Sequence, residues 1–598
     1  MAKVARYINA LNQSLYDYIY NLQIVTIGKI CFGIKFKKSV FKPTFLCKIV
    51  NFDSKLNQLM AKINIAGQAV FTYEYNPYKE IYWYELSQIM SSKYGIVTIT
   101  DFDKVDECLN ECFLYFIKKF EEIVFDIDNF KFYCYVFRLH EDSLKLMLKE
   151  RSGELELFES IEESHFAIYR RILKIILEQG CKVDMQWGTF DATLVNQFNE
   201  NIQRLFYIGM WLYNISDNIS YHRMLNGAYF ISFEENDIII NWKNNYGTLK
   251  NHLLTYFSKG YVTGVVDEKG VTELRQKIEE CYGVNYDKTF GIPFFLKKHF
   301  SENPCQTIEP HVLPINLKAL FNNLSNDEAK NIYKGLSISR ENCLSLTDTI
   351  LKPYSTERFL LRPYLVYTIN SEKRLLTSED KFSEAVYALA TNAVQWNTLN
   401  SEWKENKCML KYISKKGNEH DKLLEDRIEQ NLRANKNLLA RNITSLKTST
   451  NDNVNIVSSC GEIDFIFVDE IRKEIVVADS KYNKARYEAV GYRQDFTNFT
   501  SQYEPKLQKK IDWITKNISI VNQHFAKIYN DPNIDISSYK VIGIFLINTP
   551  TFYMFCSNYL TIDIENFEHY IKGRNIYPDL TLPLEEGTQR IYTYPYFK

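Results

Sequence analysis

The decisive stretch is Gly461-Glu462-Ile463-Asp464-Phe465-Ile466-Phe467-Val468. After a charged turn at Glu470 to Lys473 comes Glu474-Ile475-Val476-Val477-Ala478-Asp479-Ser480-Lys481-Tyr482. Short runs rich in Val, Ile and Phe on either side of a polar turn predict two strands of a hairpin. Side chains along a strand alternate between faces, so Asp464 shares a face with Glu462 and Ile466, and Asp479 shares one with Lys481. Ser480 is then expected to point the other way, leaving its backbone carbonyl available. In a hairpin, Asp464 and the Asp479/Lys481 pair converge at one end. Two carboxylates and an ammonium on one sheet face are costly to leave half-buried and unpaired. A hard divalent cation between the carboxylates, Mg²⁺ or Mn²⁺, offsets that cost, because such ions take carboxylate oxygens as ligands. Asp464 and Asp479 are therefore candidate metal ligands. Lys481 is the candidate for orienting a water or offsetting charge on a reacting group.

Working outward, Asp421 to Ala440 carries Leu424, Ile428 and Leu432 at helical spacing, and Asn453 to Ser458 reads as a short strand. Glu504 to Phe525 reads as a helix, with Leu507, Ile511, Ile514, Ile518 and Val521 on one face and Pro505 suited to its first turn. Val541 to Ile547 reads as a buried strand. The predicted order is α-β-β-β-α-β. On the first helix, Glu425 lies ~60° from the centre of the apolar stripe and Glu429 ~100° from it. Glu425 is thus expected to reach the site and Glu429 to be solvated.

Gly461-Glu462-Ile463-Asp464, fourteen intervening residues, then Asp479-Ser480-Lys481 resembles the PD-(D/E)XK nuclease superfamily, and the flanking element order is similar to that family's core. Asp479-Ser480-Lys481-Tyr482 resembles the DxKY form seen in nuclease subunits of modification-dependent restriction systems. The resemblance covers about residues 415–565; Ile463 stands where the family usually has proline. Leu424-Glu425-Asp426-Arg427-Ile428 resembles the wording around the family's helix acid. The resemblance implies a restriction-endonuclease-like fold and Mg²⁺-dependent cleavage of DNA, favoured over RNA. It implies Asp464, Asp479 and Glu425 as metal ligands, acting with Lys481. It further suggests the effector of a restriction or antiviral defence system. The alternative is a catalytically inactive or obligate-partner nucleic-acid-binding subunit of a larger complex. Lys484, Arg486, Lys509, Arg433 and Lys436 are the candidate phosphate contacts, since a local basic excess beside an acidic metal site suits a polyanionic backbone.

The 598 residues include 72 Lys+Arg and 73 Asp+Glu, a net charge of −1, which excludes a histone-like, field-driven nucleic-acid binder. At 45% hydrophobic and 24% charged residues the composition is that of a globular chain rather than a disordered one. The predicted organisation is an N-terminal α+β domain over 1–140, a mostly helical domain over 141–310, a helical connecting region over 311–414 and the nuclease-like domain over 415–598. Strands are expected at Ile30–Phe36, Ala69–Tyr75 and Phe130–Phe137, and helices near Asp53–Ile63 and Val105–Phe120. No phosphate-binding GxxxxGK(S/T), HExxH or GxSxG motif occurs, so Walker ATPase, zincin and serine hydrolase chemistries lack support. The twelve cysteines include no CxxC pair, which fits a reducing, cytoplasmic setting without disulfides. The uncharged run Val541 to Ile562 contains Asn548, Pro550 and Asn558, so strand–turn–strand is expected rather than a membrane span. A protein partner or homo-oligomer is compatible with this organisation. The Tyr73–Tyr84 aromatic cluster and His140-Glu141-Asp142 are expected to be structural.

Overall fold

A computed structural model describes residues 62–65, 68–71 and 78–597, apart from stretches at 152, 158–162, 189–191, 258–267, 292–306, 451, 487 and 584–587. The protein is a mixed α/β chain of two compact units. Among the described residues, one comprises those up to 219, 231–240 and those of 264–416; the other comprises 220–230, those of 241–263 and those of 417–598. No helix among the described residues is long and apolar enough to cross a membrane.

The first unit is built largely of long helices, including Phe102–Asp126, Phe130–Arg151 and Glu163–Gly180. Phe130–Phe137, expected as a strand, is the first two turns of a helix. Nearly every residue there is buried, and a run buried on all sides carries no period that separates helix from strand. Lys62–Ile65, at the end of an expected helix, is a strand paired with Gln68–Phe71. The strand expected at Ile30–Phe36 lies outside the described residues, as do Tyr73 and Tyr75. Tyr82 and Trp83 are core residues, with Trp83 stacked on Trp211 at 3.8 Å between ring centres.

The region 311–414 is not all helical. Tyr364–Ile369 and Glu372–Leu376 form an antiparallel hairpin closed by Asn370 and Ser371, both with positive φ, as a tight two-residue turn requires. Tyr364–Ile369 also pairs in parallel with Asp184–Met185 and Ser337–Ile338. The first unit also holds a buried charge cluster. Glu384 accepts from Lys381 at 2.5 Å and Arg170 at 3.2 Å, with all three side chains essentially excluded from water. His140 is buried beside Phe359, and burial pushes its imidazole well below the ordinary value. Cys281 and Cys408 form a disulfide across 5.4 Å between Cα atoms, which differs from the expectation of unpaired thiols. The end of the helix Glu268–Tyr282 and the start of the helix Lys407–Ala434 come side by side there, and the Asn406 side-chain amide donates to the Cys281 carbonyl.

The second unit contains a five-stranded sheet in chain order: β1 (Leu439–Ile443), β2 (Ile463–Asp469), β3 (Glu474–Lys481), β4 (Lys540–Ile547) and β5 (Leu560–Asp563). β1–β2 and β2–β3 are antiparallel; β3–β4 and β4–β5 are parallel. The parallel step from β3 to β4 needs a crossover. It runs through helices at Ala489–Asn498, Glu504–Lys516 (α2) and Ile518–Tyr529. The single helix expected over Glu504–Phe525 is thus broken at Asn517. The first strand of the sheet is β1, whose first two residues, Leu439 and Ala440, were expected at the end of a helix and whose remainder was not expected as a strand; the preceding helix, α1 (Lys407–Ala434), ends earlier. Asn453–Asn455 instead pairs with Ser445–Lys447 in a separate hairpin.

The two faces of the sheet have different covers. Phe465, Phe467, Val476, Ala478, Ile544 and Leu546 pack with Leu424, Ile428 and Leu432 of α1 and with Phe567 of the helix Ile564–Ile571. The opposite face is covered by α2. At Gly543 the helix approaches so closely that a Cβ would collide with Ile511 and touch Leu507.

Candidate functional site

The ladder between β2 and β3 pairs Phe465 with Ala478, and continuing that register puts Asp464 opposite Asp479. Ile463 is instead paired with Ile443 of β1, while β3 stays paired with β4 as far as Lys481. The central strands therefore part at this end. By alternation Asp464, Asp479 and Lys481 belong to the α2 face, opposite the face on which α1 packs.

Three residues converge as expected, and a fourth joins them. Lys481 Nζ lies 2.5 Å from Asp479 Oδ2. Lys510 Nζ, from α2, lies 2.5 Å from Asp479 Oδ1 and 3.7 Å from Asp464 Oδ1. The other oxygen of Asp464 accepts from the Ser480 backbone N–H at 2.7 Å and the Ser480 hydroxyl at 2.9 Å. Ser480 was expected to face away. Where the strands part, its N–H has no ladder partner, and Asp464 turns across to satisfy it. The Ser480 carbonyl accepts from Lys481 Nζ at 3.0 Å. The side chains of Asp464 and Lys481 are 20% and 21% exposed, whereas those of Asp479 and Lys510 are 3% and 7% exposed. The mouth of the site is thus Asp464 with Lys481, and its floor is Asp479 with Lys510.

The two carboxyls are driven apart electrostatically. Burial, then the charge of Asp479, raises Asp464 above the ordinary carboxylate range, with both lysines opposing. Burial also acts against ionisation of Asp479, but Lys481 and Lys510 outweigh it and hold its carboxyl below the ordinary value. Burial would lower Lys481, yet Asp479 and Asp464 outweigh it and raise it. Tyr503 offers its ring to Lys481 at 5.2 Å.

Glu425 is not part of this cluster. Its carboxylate accepts from Arg441 of β1 at 2.8 Å, and Arg441 also holds Asp426 and Glu429, each at 2.7 Å. Glu425 and Glu429 are 20% and 23% exposed, so the expected contrast between them is absent. The physical reason is that α1 and Arg441 occupy the face opposite Asp464 and Asp479. Among the described residues no group of three His, Cys, Asp or Glu side chains is arranged to hold a metal. On α1, Asp421, one turn before Glu425, feels the charge of Lys481. More than a third of Asp421 faces solvent, yet burial and then Glu425 raise its carboxyl, and Lys481 opposes the shift.

The expected phosphate contacts divide. Lys509 and Lys436 are exposed, and so is Glu462. Arg433 is exposed but paired with Glu429 at 2.6 Å. Arg486 is largely buried against Asp495 at 2.9 Å, a structural ion pair. Lys484 is half-buried; burial, then the charge of Arg486, pushes it down to about 7. The basic excess around Arg433 and Arg441 is thus largely spent on α1 carboxylates.

Lys510 borders the apolar stripe of Leu507, Ile511 and Ile514 in the sequence without interrupting it, so its burial was not legible there. It stands three residues after Leu507 and four before Ile514, and these three are the buried positions of α2. A buried lysine needs a buried anion.

The residues fit a hard cation on one structural ground: an ammonium already lies within 4.0 Å of one oxygen from each aspartate. Comparison with known proteins gives no match, whether to a family model, a curated protein or a solved structure.

Proposed function

We propose that the second unit is a metal-dependent phosphodiester hydrolase acting on nucleic acid, with DNA favoured over RNA. The observation that carries the reading is the meeting of Asp464, Asp479 and Lys481 where β2 and β3 part, with a cation position between the carboxylates. Asp464 and Asp479 would hold Mg²⁺ or Mn²⁺. When bound, the ion supplies Lewis-acid stabilisation of charge on phosphoryl oxygens. Lys481 stands at the mouth, where its ammonium can bind a phosphate oxygen and stabilise charge that grows there. Asp479, with the lower-lying carboxyl, remains anionic throughout. Asp464 is the better placed of the two to hold a proton. The resemblance to the PD-(D/E)XK superfamily and its DxKY wording supports this reading and suggests the effector of a restriction or antiviral defence system. The first unit is then available for recognition or for a protein partner. The test is to incubate the full chain with plasmid, linear DNA and RNA in parallel, with and without Mg²⁺. Cleavage abolished by Lys481→Ala and Asp479→Asn is expected; metal-independent cleavage, or none on any substrate, overturns the reading.

One observation favours the second reading, an inactive or obligate-partner nucleic-acid-binding subunit. Two aspartates and two lysines already neutralise one another, so the cluster can stand as a purely structural charge network. Nucleic-acid binding without Mg²⁺ dependence, or cleavage appearing only with a co-purified protein, supports that alternative.

A further inference from the structure

Lys510 departs from the rest of the site in one respect: it comes from the covering helix, not from the strands. Its ammonium contacts Asp479 Oδ1 and lies 3.7 Å from Asp464 Oδ1, the gap a divalent ion would take. A metal–oxygen distance of about 2.1 Å to both carboxylates leaves no room for an ammonium in the same gap. Retaining it there would also place like charges in contact inside a poorly hydrated floor. Lys481 is under no such conflict, since it binds the outer oxygen of Asp479 and reaches solvent.

Resting on the metal-site reading above, we propose that Lys510 is a tethered counter-ion. It fills the cation position between Asp464 and Asp479 in the metal-free protein, and it must swing out before a divalent cation can enter. It is a positioning residue, setting how readily the site loads. The flexible four-carbon stem makes the exchange possible, because an ammonium on such a stem moves without moving the helix. The departing charge has a destination at the mouth, where phosphate oxygens of a bound polyanion would receive it. Metal entry and nucleic-acid binding would then favour each other by linkage.

The test uses the full chain and Mn²⁺ alone as the probe. Mn²⁺ affinity is measured by calorimetry for the natural protein, Lys510→Gln, Lys510→Arg and Asp479→Asn. Lys510→Gln removes the charge and shortens the side chain by one atom, and should tighten Mn²⁺ binding about tenfold or more, equivalent to about 1.4 kcal/mol. Lys510→Arg should give no gain, and Asp479→Asn should abolish binding. A second measurement needs no variant. Amine acylation followed by mass spectrometry should find Lys510 protected in the metal-free protein and modified several-fold more on adding Mn²⁺, while exposed Lys509 on the same helix stays constant. Unchanged Mn²⁺ affinity in Lys510→Gln, or constant protection of Lys510, overturns the counter-ion role; loss of binding in Asp479→Asn would leave the metal site standing. Absence of Mn²⁺ binding in every protein, Lys510→Gln included, overturns both.

Discussion

Asp479→Asn tests the charge network independently of any catalysis. Asp479 is buried and is the sole residue of the cluster in direct contact with both ammoniums, each at 2.5 Å. The substitution preserves volume and removes the charge. Lys481 is partly exposed and can turn to water, so its loss of partner costs little. Lys510 cannot turn so readily: it is left buried with Asp464 at 3.7 Å as its remaining anion. Removing one partner of a buried pair costs about 3–5 kcal/mol, and the surviving Asp464 argues for about 3 kcal/mol. For a unit of this size that corresponds to a fall of about 6–12 °C in melting temperature. Adding Lys510→Met removes the orphaned charge, so the double variant should recover about 2–3 kcal/mol of the summed single losses. The assay is urea and thermal unfolding of all four proteins in EDTA, so that adventitious metal plays no part. A loss within about 0.5 kcal/mol for Asp479→Asn, the size of an ordinary surface change, would refute the reasoning. Strict additivity in the double variant would also refute it, by showing that Lys510 does not depend on Asp479.

Glu384→Gln in the first unit should destabilise it by about 3–5 kcal/mol in urea unfolding, because the buried ammonium of Lys381 loses the carboxylate to which it donates; a neutral outcome would mean the cluster relaxes into water. Gly543→Val should cost about 1–3 kcal/mol by driving Ile511 off the sheet, and a calorimetric melt at or above that of the natural chain would deny the close approach. Lys484, lowered by burial to about 7, is charged below that pH and neutral above it. Nucleic-acid affinity measured by fluorescence anisotropy should therefore rise several-fold from pH 8 to pH 6, and Lys484→Gln should flatten that change. A slope surviving in Lys484→Gln would assign it to other groups.

The sheet was legible where its signals are local. β2 and β3 are bounded by a charged turn, and Asp469 secures that turn by accepting from the backbone of Ile471 and Arg472. Their register, and with it the meeting of Asp464, Asp479 and Lys481, follows from two apolar runs joined by a short loop. β1 was not legible. Leu439-Ala440-Arg441-Asn442-Ile443 directly continues a helical pattern, and Lys436 at φ +59, where α1 stops, is a left-handed position that no glycine announces. Phe130–Phe137 failed for a different reason: a segment buried on every side has no polar face to give its period.

The acidic ligand expected from α1 shows what a helical wheel leaves out. Rotation about the helix axis placed Glu425 beside the apolar stripe, and it does border that stripe. The wheel does not say which face of the sheet the stripe covers. Arg441 sits opposite Phe465 in the β1–β2 ladder, and Phe465 belongs to the α1 face. Parity along β2 then sends Asp464, one residue earlier, to the other face. The same arithmetic puts Lys510 on the helix that Asp464 and Asp479 meet. The residue types that sequence patterns emphasise at such a site are carboxylates, because they bind the ion. The group that pairs with both carboxylates is a cation, Lys510, buried on α2 between Leu507 and Ile514 but beside, not within, the stripe that the sequence pattern picks out.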